Sequence, residues 1–188
     1  MSAVFTIGHS NHSLERFLEL LAGARVEMIA DIRSAPVSRH VAHFNKAALS
    51  KALHEAGLSY LFLGRELGGR PADPALFSDG VADFERMAEA PAFRGGLKRV
   101  ETEALWLRLA LMCSEKEPLD CHRCLLVGRA LANDGVEVRH ILADGGIVTQ
   151  KEIEAELTGA QGTLALDNDV LAAAYRERAN KVAFRRSR

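Results

Sequence analysis

Ala110-Leu111-Met112-Cys113-Ser114-Glu115-Lys116-Glu117-Pro118-Leu119-Asp120-Cys121-His122-Arg123-Cys124-Leu125 is the stretch around which the chain is arranged. Upstream of the break, Leu105 to Cys113 is almost wholly apolar, which is the composition of a strand buried on both faces of a parallel sheet. Downstream, Leu125, Leu126, Val127 and Leu131 recur at helical spacing. Cys121, His122 and Arg123 therefore fall at or just inside a helix N-terminus, where exposed backbone N–H groups and the helix dipole favour an anion or a thiolate. This is the point at which reactive side chains are densest.

Working outward, Ala3 to Ile7 reads as a short buried strand that runs into Gly8-His9-Ser10. Ser13 then caps a helix carrying Leu14, Phe17, Leu18 and Leu21 as far as Gly23. Val26 to Ile32 is a second strand ending at Asp31 and Arg33, followed by a loop through Pro36 to Phe44 that holds Arg39, His40 and His43. Asn45 is placed to cap the next helix and Gly57 to close it, and Leu58 to Leu63 supplies strand three. Gly64 to Asp79, with Gly68-Gly69-Arg70-Pro71 and Pro74, lacks periodicity and reads as a surface loop. Its Leu76 and Phe77 suit a lid or a dimer contact. Two helices follow, through Val81, Phe84 and Met87 and then through Phe93, Leu97 and Val100. Beyond strand four and the Cys121 helix, Glu137 to Leu142 forms strand five, Thr149 to Glu152 fits a capping box, and Asp169 starts the last helix.

Strands alternating with helices predict an α/β fold: a mostly parallel five-stranded sheet with helices on both faces, a Rossmann-like three-layer sandwich. At 188 residues and 48% hydrophobic content, residues 1–188 are expected to form one domain. The N-terminus lacks a basic segment followed by a long apolar one, and no apolar run approaches the roughly 20 residues of a membrane helix. Three cysteines, two of them in the Cys121-x-x-Cys124 spacing, are too few and too clustered for a disulfide framework. Together these features predict a soluble, cytoplasmic protein. The net charge of -1 conceals a basic tail, residues 175–188, in which Arg176, Arg178, Lys181, Arg185, Arg186 and Arg188 face Glu177 alone. That tail carries +5 and leaves -6 on the remainder. It reads either as a nucleic-acid contact or as a solvated helix end.

Ligands in such folds bind outside the carboxyl ends of the strands. That edge should collect His9, Asp31, Arg33, Glu115 and Cys121 to Arg123, with Gly8 and Ser10 in the first strand-to-helix loop among the ligand-binding residues. Cys121 is the candidate nucleophile, because a helix start beside His122 and Arg123 lowers a thiol below its free pKa of about 8.5; the alternative is a small, unreactive capping residue. His9 or His122 would carry the proton. Arg33, Arg39 and Arg123 would clamp phosphate or carboxylate, and Asp31 or Glu115 would orient them. Cys113, leaving a buried strand, reads as core. A phosphatase with cysteine and arginine six positions apart is disfavoured, since Val127 occupies that place.

The same residues carry a family resemblance. Met112-Cys113-Ser114-Glu115-Lys116 followed by Cys121-His122-Arg123 resembles the signature of the bacterial domain of unknown function family 488. Thr6-Ile7-Gly8-His9-Ser10, Asp31-Ile32-Arg33 with Pro36 and Ser38-Arg39, Tyr60 with Leu63-Gly64, Leu67-Gly68-Gly69 and His140-Ile141 follow in the family's order, from about residue 5 to 145. Cys124 departs from the pattern. The resemblance implies a fold and a site without naming a reaction.

Three functional readings follow. The first is an enzyme, a thiol-dependent hydrolase or transferase, that binds an anionic, phosphate-bearing ligand such as a nucleotide or nucleic acid at the strand ends through the Cys-His-Arg motif. The second is a non-catalytic nucleic-acid-binding module using the same arginines and the basic tail. The third is a zinc protein through Cys121 and Cys124, with Cys113, His122 or His9 to complete four ligands, since Pro118-x-x-Cys121-x-x-Cys124 echoes the second half of a deaminase metal motif. The other half, His-x-Glu, does not occur in the chain. No residue pattern specifies a cofactor, and no membrane partner is expected.

Overall fold

The computed structural model describes residues 3–159 and 168–186. β1 (Val4–Gly8) leads into α1 (Leu14–Gly23), where the Ser13 hydroxyl caps the helix by accepting the Arg16 N–H. β2 (Met28–Asp31), α2 (Lys46–Glu55) and β3 (Ser59–Phe62) follow. A hairpin of β4 (Phe77–Ser78) and β5 (Val81–Ala82) comes next, then α3 (Phe84–Glu89) and α4 (Pro91–Glu103). β6 (Leu109–Cys113) enters the polar loop, after which Arg123–Gly128 winds as a π-helix that continues as α5 (Arg129–Asn133). The chain proceeds through β7 (Val138–Ile141), β8 (Ile147–Thr149) and α6 (Gln150–Thr158), and α7 covers Asn168–Val182.

The central sheet has the order β3-β2-β6-β1-β7-β8. Its first five strands are parallel, and β8 pairs antiparallel with β7. The expected count of five strands is thus corrected to six. The addition is three residues long, begins at an exposed Ile147 and ends in the cap of α6, so it has too little apolar alternation to be read as a strand. Two further boundaries moved. Leu105 to Leu107 lie outside β6, with Trp106 81% exposed. Val81 sits in β5 instead of opening a helix, because Asp83 caps α3 by accepting from Glu85 and Arg86 N–H groups.

Alternation along the strands separates two apolar layers, as the period of two requires. Leu109, Leu111 and Cys113 pack with Phe84, Leu97, Leu125 and Leu126 on one face. Ala110 and Met112 pack with Phe17, Leu21, Phe44 and Leu53 on the other. The three-layer α/β sandwich follows from these two buried faces. Asn45 precedes α2, but its side chain accepts from Ser38 N–H (2.6 Å) instead of capping, which pins the loop after β2.

Leu76 and Phe77, read as lid or dimer contacts, pack against the core, with Phe77 also edge-on to Phe184. The chain end returns to this hairpin: Ala82 N–H donates to Phe184 O, and Arg186 N–H to Gly80 O. Most of the basic tail is engaged. Arg176 pairs with Glu85, Arg178 with Asp120, and Lys181 with Glu177, while Arg185 donates to Asn180 O. Arg188 lies outside the described residues. Among the described residues no helix is long and apolar enough to cross a membrane.

Candidate functional site

Parallel β1, β2 and β6 all end on the same edge, and the ladder continues past them. His9 N–H donates to Cys113 O (2.8 Å), Ser10 N–H to Ser114 O (2.9 Å), and Ile32 N–H to Met112 O (3.1 Å). The loop after β6 is thereby held against the loop after β1. Gly8 is required there, because a Cβ would lie 1.9 Å from Glu115 O. Gly8 and Ser10 thus contribute backbone positioning.

Two groups of polar side chains occupy this edge. In the first, Arg33 grips Asp31 through Nε (2.9 Å) and Nη2 (2.7 Å), and Nη2 also donates to Phe44 O (2.8 Å). Arg33 Nη1 lies 3.1 Å from His9 Nε2. A guanidinium can only donate, so His9 Nε2 accepts and its Nδ1–H donates to Ser10 O (2.8 Å). Burial, followed by the Arg33 charge among the lowering influences, holds His9 down at about 4 even though the Ser10 carbonyl works the other way. Tyr60 OH donates to Asp31 Oδ2 (2.8 Å), and burial followed by the Asp31 charge raises its phenol well above its ordinary value. Sequence reasoning used Tyr60 only as a family marker; the pairing of β2 with β3 brings it to Asp31.

The second group is the cluster Cys113, Glu115, Cys121 and His122. One ligating atom from each lies within 4.8 Å of all the others. Both thiols donate to Glu115 Oε2, Cys113 at 3.0 Å and Cys121 at 3.1 Å. His122 Nδ1 is 3.5 Å from Cys113 Sγ and 3.9 Å from Cys121 Sγ, while its Nε2–H donates to Ile32 O (3.1 Å). Gly69 backs the imidazole, where a Cβ would come within 2.8 Å of His122 Cγ. Cys121 is extended just before the π-helix, and its sulfur accepts from Arg123 N–H (3.4 Å).

Within this pair Cys121 is the thiol whose ionisation is favoured. Burial opposes its ionisation but is outweighed by the hydrogen bond from Cys113 and the charges of Arg123 and His122. Cys113 is pushed well up, first by burial and then by Cys121. Burial likewise disfavours a charged His122, yet Cys121, Glu115 and the Ile32 carbonyl raise it overall. Burial and the Cys121 charge raise Glu115.

The remaining sequence candidates are placed differently. Arg123 is fully buried, and its guanidinium donates to Glu115 O (2.5 Å) and Lys116 O (2.8 Å), so it braces the loop that carries Glu115. Arg39 is exposed and does not line the cavity at this edge. Cys124 does not share the cluster with Cys121: one helical turn on, its sulfur faces Gln150 in the core, and burial pushes its thiol up to about 12. The partner of Cys121 is Cys113. Its position as the last residue of an apolar strand was the available signal, since strand ends point at the site in this fold class.

A cavity of about 350 Å³ opens on the edge, lined by Arg33, Ser34, Ser38, Cys113, Glu115 and His122, with Arg70 and Phe184 among the groups enclosing it. Arg70 stacks over the Phe184 ring at 5.1 Å.

Among curated proteins and among solved structures, nothing matches this chain. The pattern that defines the domain of unknown function DUF488 matches residues 13–130, a span that includes Asp31, Arg33, Cys113, Glu115 and the Cys121-His122-Arg123 run. The chain belongs to the DUF488 family.

Proposed function

We propose that this protein is an enzyme acting on a small anionic, phosphate-bearing molecule held in the strand-end cavity, with Cys113, Glu115, Cys121 and His122 as its reacting groups. The observation that carries the reading is the shared wall: Arg33 lines the same 350 Å³ cavity as Cys113, Glu115 and His122. That volume suits a small ligand of mononucleotide scale. Arg33 has five N–H groups, of which Asp31 and Phe44 take three and His9 a fourth. The remaining Nη1 N–H is the ligand contact, with Ser34, Ser38 and Arg70 beside it.

In this reading Asp31 and His9 position Arg33, and Gly8, Ser10 and Arg123 position the Glu115 loop. Arg39 is left for the approach of the ligand from solvent. The purely nucleic-acid-binding alternative is the weaker reading, with Arg176, Arg178, Lys181 and Arg185 each holding an acidic or carbonyl partner within the chain. A hydrolase or transferase fits the site better, since a cysteine whose ionisation is favoured, held beside an imidazole, serves chemistry and has no use in backbone recognition.

The test is ligand protection in metal-free protein. Millimolar phosphate or a mononucleotide should raise the melting temperature and slow iodoacetamide labelling of the Cys113–Cys121 pair, and Arg33→Lys, which keeps the charge but loses the fork, should weaken both effects. Phosphate and mononucleotides that leave stability and labelling unchanged would remove the anion reading.

A further inference from the structure

We infer that Cys113, Cys121 and His122 form a binding site for a zinc-class divalent cation, with Glu115 as a fourth, exchangeable ligand at the cavity. The inference rests on the proposed function only for the role of the cavity as the substrate's place; the site itself rests on donor geometry.

The donor set is two sulfurs, one imidazole nitrogen and one carboxylate oxygen, mutually within 4.8 Å. Tetrahedral bonds of about 2.0–2.3 Å give ligand-to-ligand edges of roughly 3.3–3.8 Å. Four of the six donor–donor edges, 3.0, 3.1, 3.5 and 3.9 Å, bracket that range and every edge is within 4.8 Å, so an ion enters by drawing the side chains together. Sulfur-rich tetrahedral sites select zinc over calcium and magnesium.

The surroundings are those a metal-binding histidine needs. His122 Nε2–H is committed to Ile32 O, which fixes the tautomer that leaves the Nδ1 lone pair facing both sulfurs. Arg123 N–H supports the Cys121 sulfur. Charge balance adds an independent argument. Arg123 is a fully buried cation whose guanidinium donates only to the Glu115 and Lys116 carbonyls among the described residues, and its Nε has no hydrogen-bond partner there. A buried cation is stabilised by negative charge placed beside it. Two thiolates and a carboxylate around a divalent ion sum to one negative charge, which Arg123 cancels. Binding releases the thiol protons of Cys113 and Cys121 to solvent as the two sulfur–metal bonds form, and requires no oxidant or reductant.

Three of the ligands are largely enclosed, whereas Glu115 sits on an exposed loop and lines the cavity. Catalytic zinc sites keep three protein ligands and one open position. Glu115 would hold that fourth position, and its place on the cavity wall would let water or a substrate oxygen take it over.

The experiment uses the full chain, purified under reducing conditions, stripped with a chelator and titrated with Co(II) and Zn(II). One equivalent should bind. The Co(II) form should display thiolate-to-cobalt charge transfer and the intense visible bands of tetrahedral coordination, and Zn(II) should protect Cys113 and Cys121 from alkylation together. Cys113→Ser should weaken binding on the order of 100-fold or more and Glu115→Gln about 10-fold, with a shift of the visible bands; Cys124→Ser should change neither. Because the cysteine variant can fail to fold, the Glu115→Gln spectrum and the Cys124→Ser control carry the decision if it does. Octahedral-type spectra, sub-stoichiometric binding, or equal loss in Cys124→Ser would overturn the site. Metal binding without any phosphate or mononucleotide effect would retain the site and discard the anion reading.

Discussion

Acid should weaken this protein through His140, a residue that does not line the cavity yet is central to the fold. β7 places it in the sheet interior at 0% exposure, where Nδ1 meets the Thr6 hydroxyl (2.7 Å) and Nε2 meets Gln150 Oε1 (2.8 Å). The Gln150 oxygen accepts Nε2–H, so Nδ1 accepts from Thr6 and the ring is neutral and fully satisfied. Burial, with the Arg123 charge acting in the same direction, lowers its pKa from 6.5 to about 4 despite the Gln150 hydrogen bond. The sign follows from linkage: the unfolded chain takes up a proton near 6.5 that the native state refuses until about 4, so stability is full above that window and is lost as pH falls through it. Between pH 7 and about pH 5 the single histidine should cost about 2 kcal/mol of stability, or roughly 4–7 °C of melting temperature in a chain of this size. Denaturant titrations of wild type and His140→Gln across that range isolate the effect, because the comparison uses the difference in pH slope and not the stability at one pH. His9, also held near 4, stays in both proteins and leaves a residual slope of the same sign. Equal losses in the two proteins, to within about 0.5 kcal/mol, would refute a buried neutral His140.

Gly8→Ala should destabilise the fold by about 1–3 kcal/mol, as overpacking does, because the new Cβ meets Glu115 O at 1.9 Å; chemical denaturation measures it, and a neutral effect would mean that the two loops are not locked together. Gly69→Ala displaces the His122 ring, 2.8 Å from its Cβ position, and should impair cobalt coordination far more than it lowers the melting temperature.

How much of this was legible beforehand depended on whether the information was local. The alternation that sends Leu109 and Leu111 one way and Ala110 and Met112 the other is written in consecutive residues, and so are the Ser13 cap and the capping box at Thr149 and Glu152. The edge of the sheet where polar residues gather also followed, because parallel order fixes which strand ends are neighbours. What could not be read was pairing across the fold. His122 and Cys121 are adjacent in the chain, but the tautomer of His122 depends on a carbonyl 90 positions away. Arg123 carries the same charge as Arg33, and only three-dimensional packing spends its donors on Glu115 O and Lys116 O. Helical phase decided the cysteines. Cys124 follows Cys121 by one turn, but Cys121 is extended before the helix begins, so their sulfurs diverge and Cys113 comes round from β6 instead.

The π-helix at Arg123–Gly128 connects these observations. Wider turns of this kind are rare and occur often at functional sites. Here the segment begins immediately after Cys121 and His122, while Arg123, its first residue, reaches back with its side chain to the loop that carries Glu115. Further along, Gly128 admits Gln150, since a Cβ there would come within 2.6 Å of Gln150 Oε1. Gln150 in turn engages His140, Cys124 and the Tyr175 hydroxyl, which donates to Glu154. The same helical segment therefore braces the sulfur cluster at one end and a buried polar network at the other. A sulfur pair held within 4.8 Å of a carboxylate and an imidazole needs such bracing, because small movements of the Glu115 loop would separate its donors.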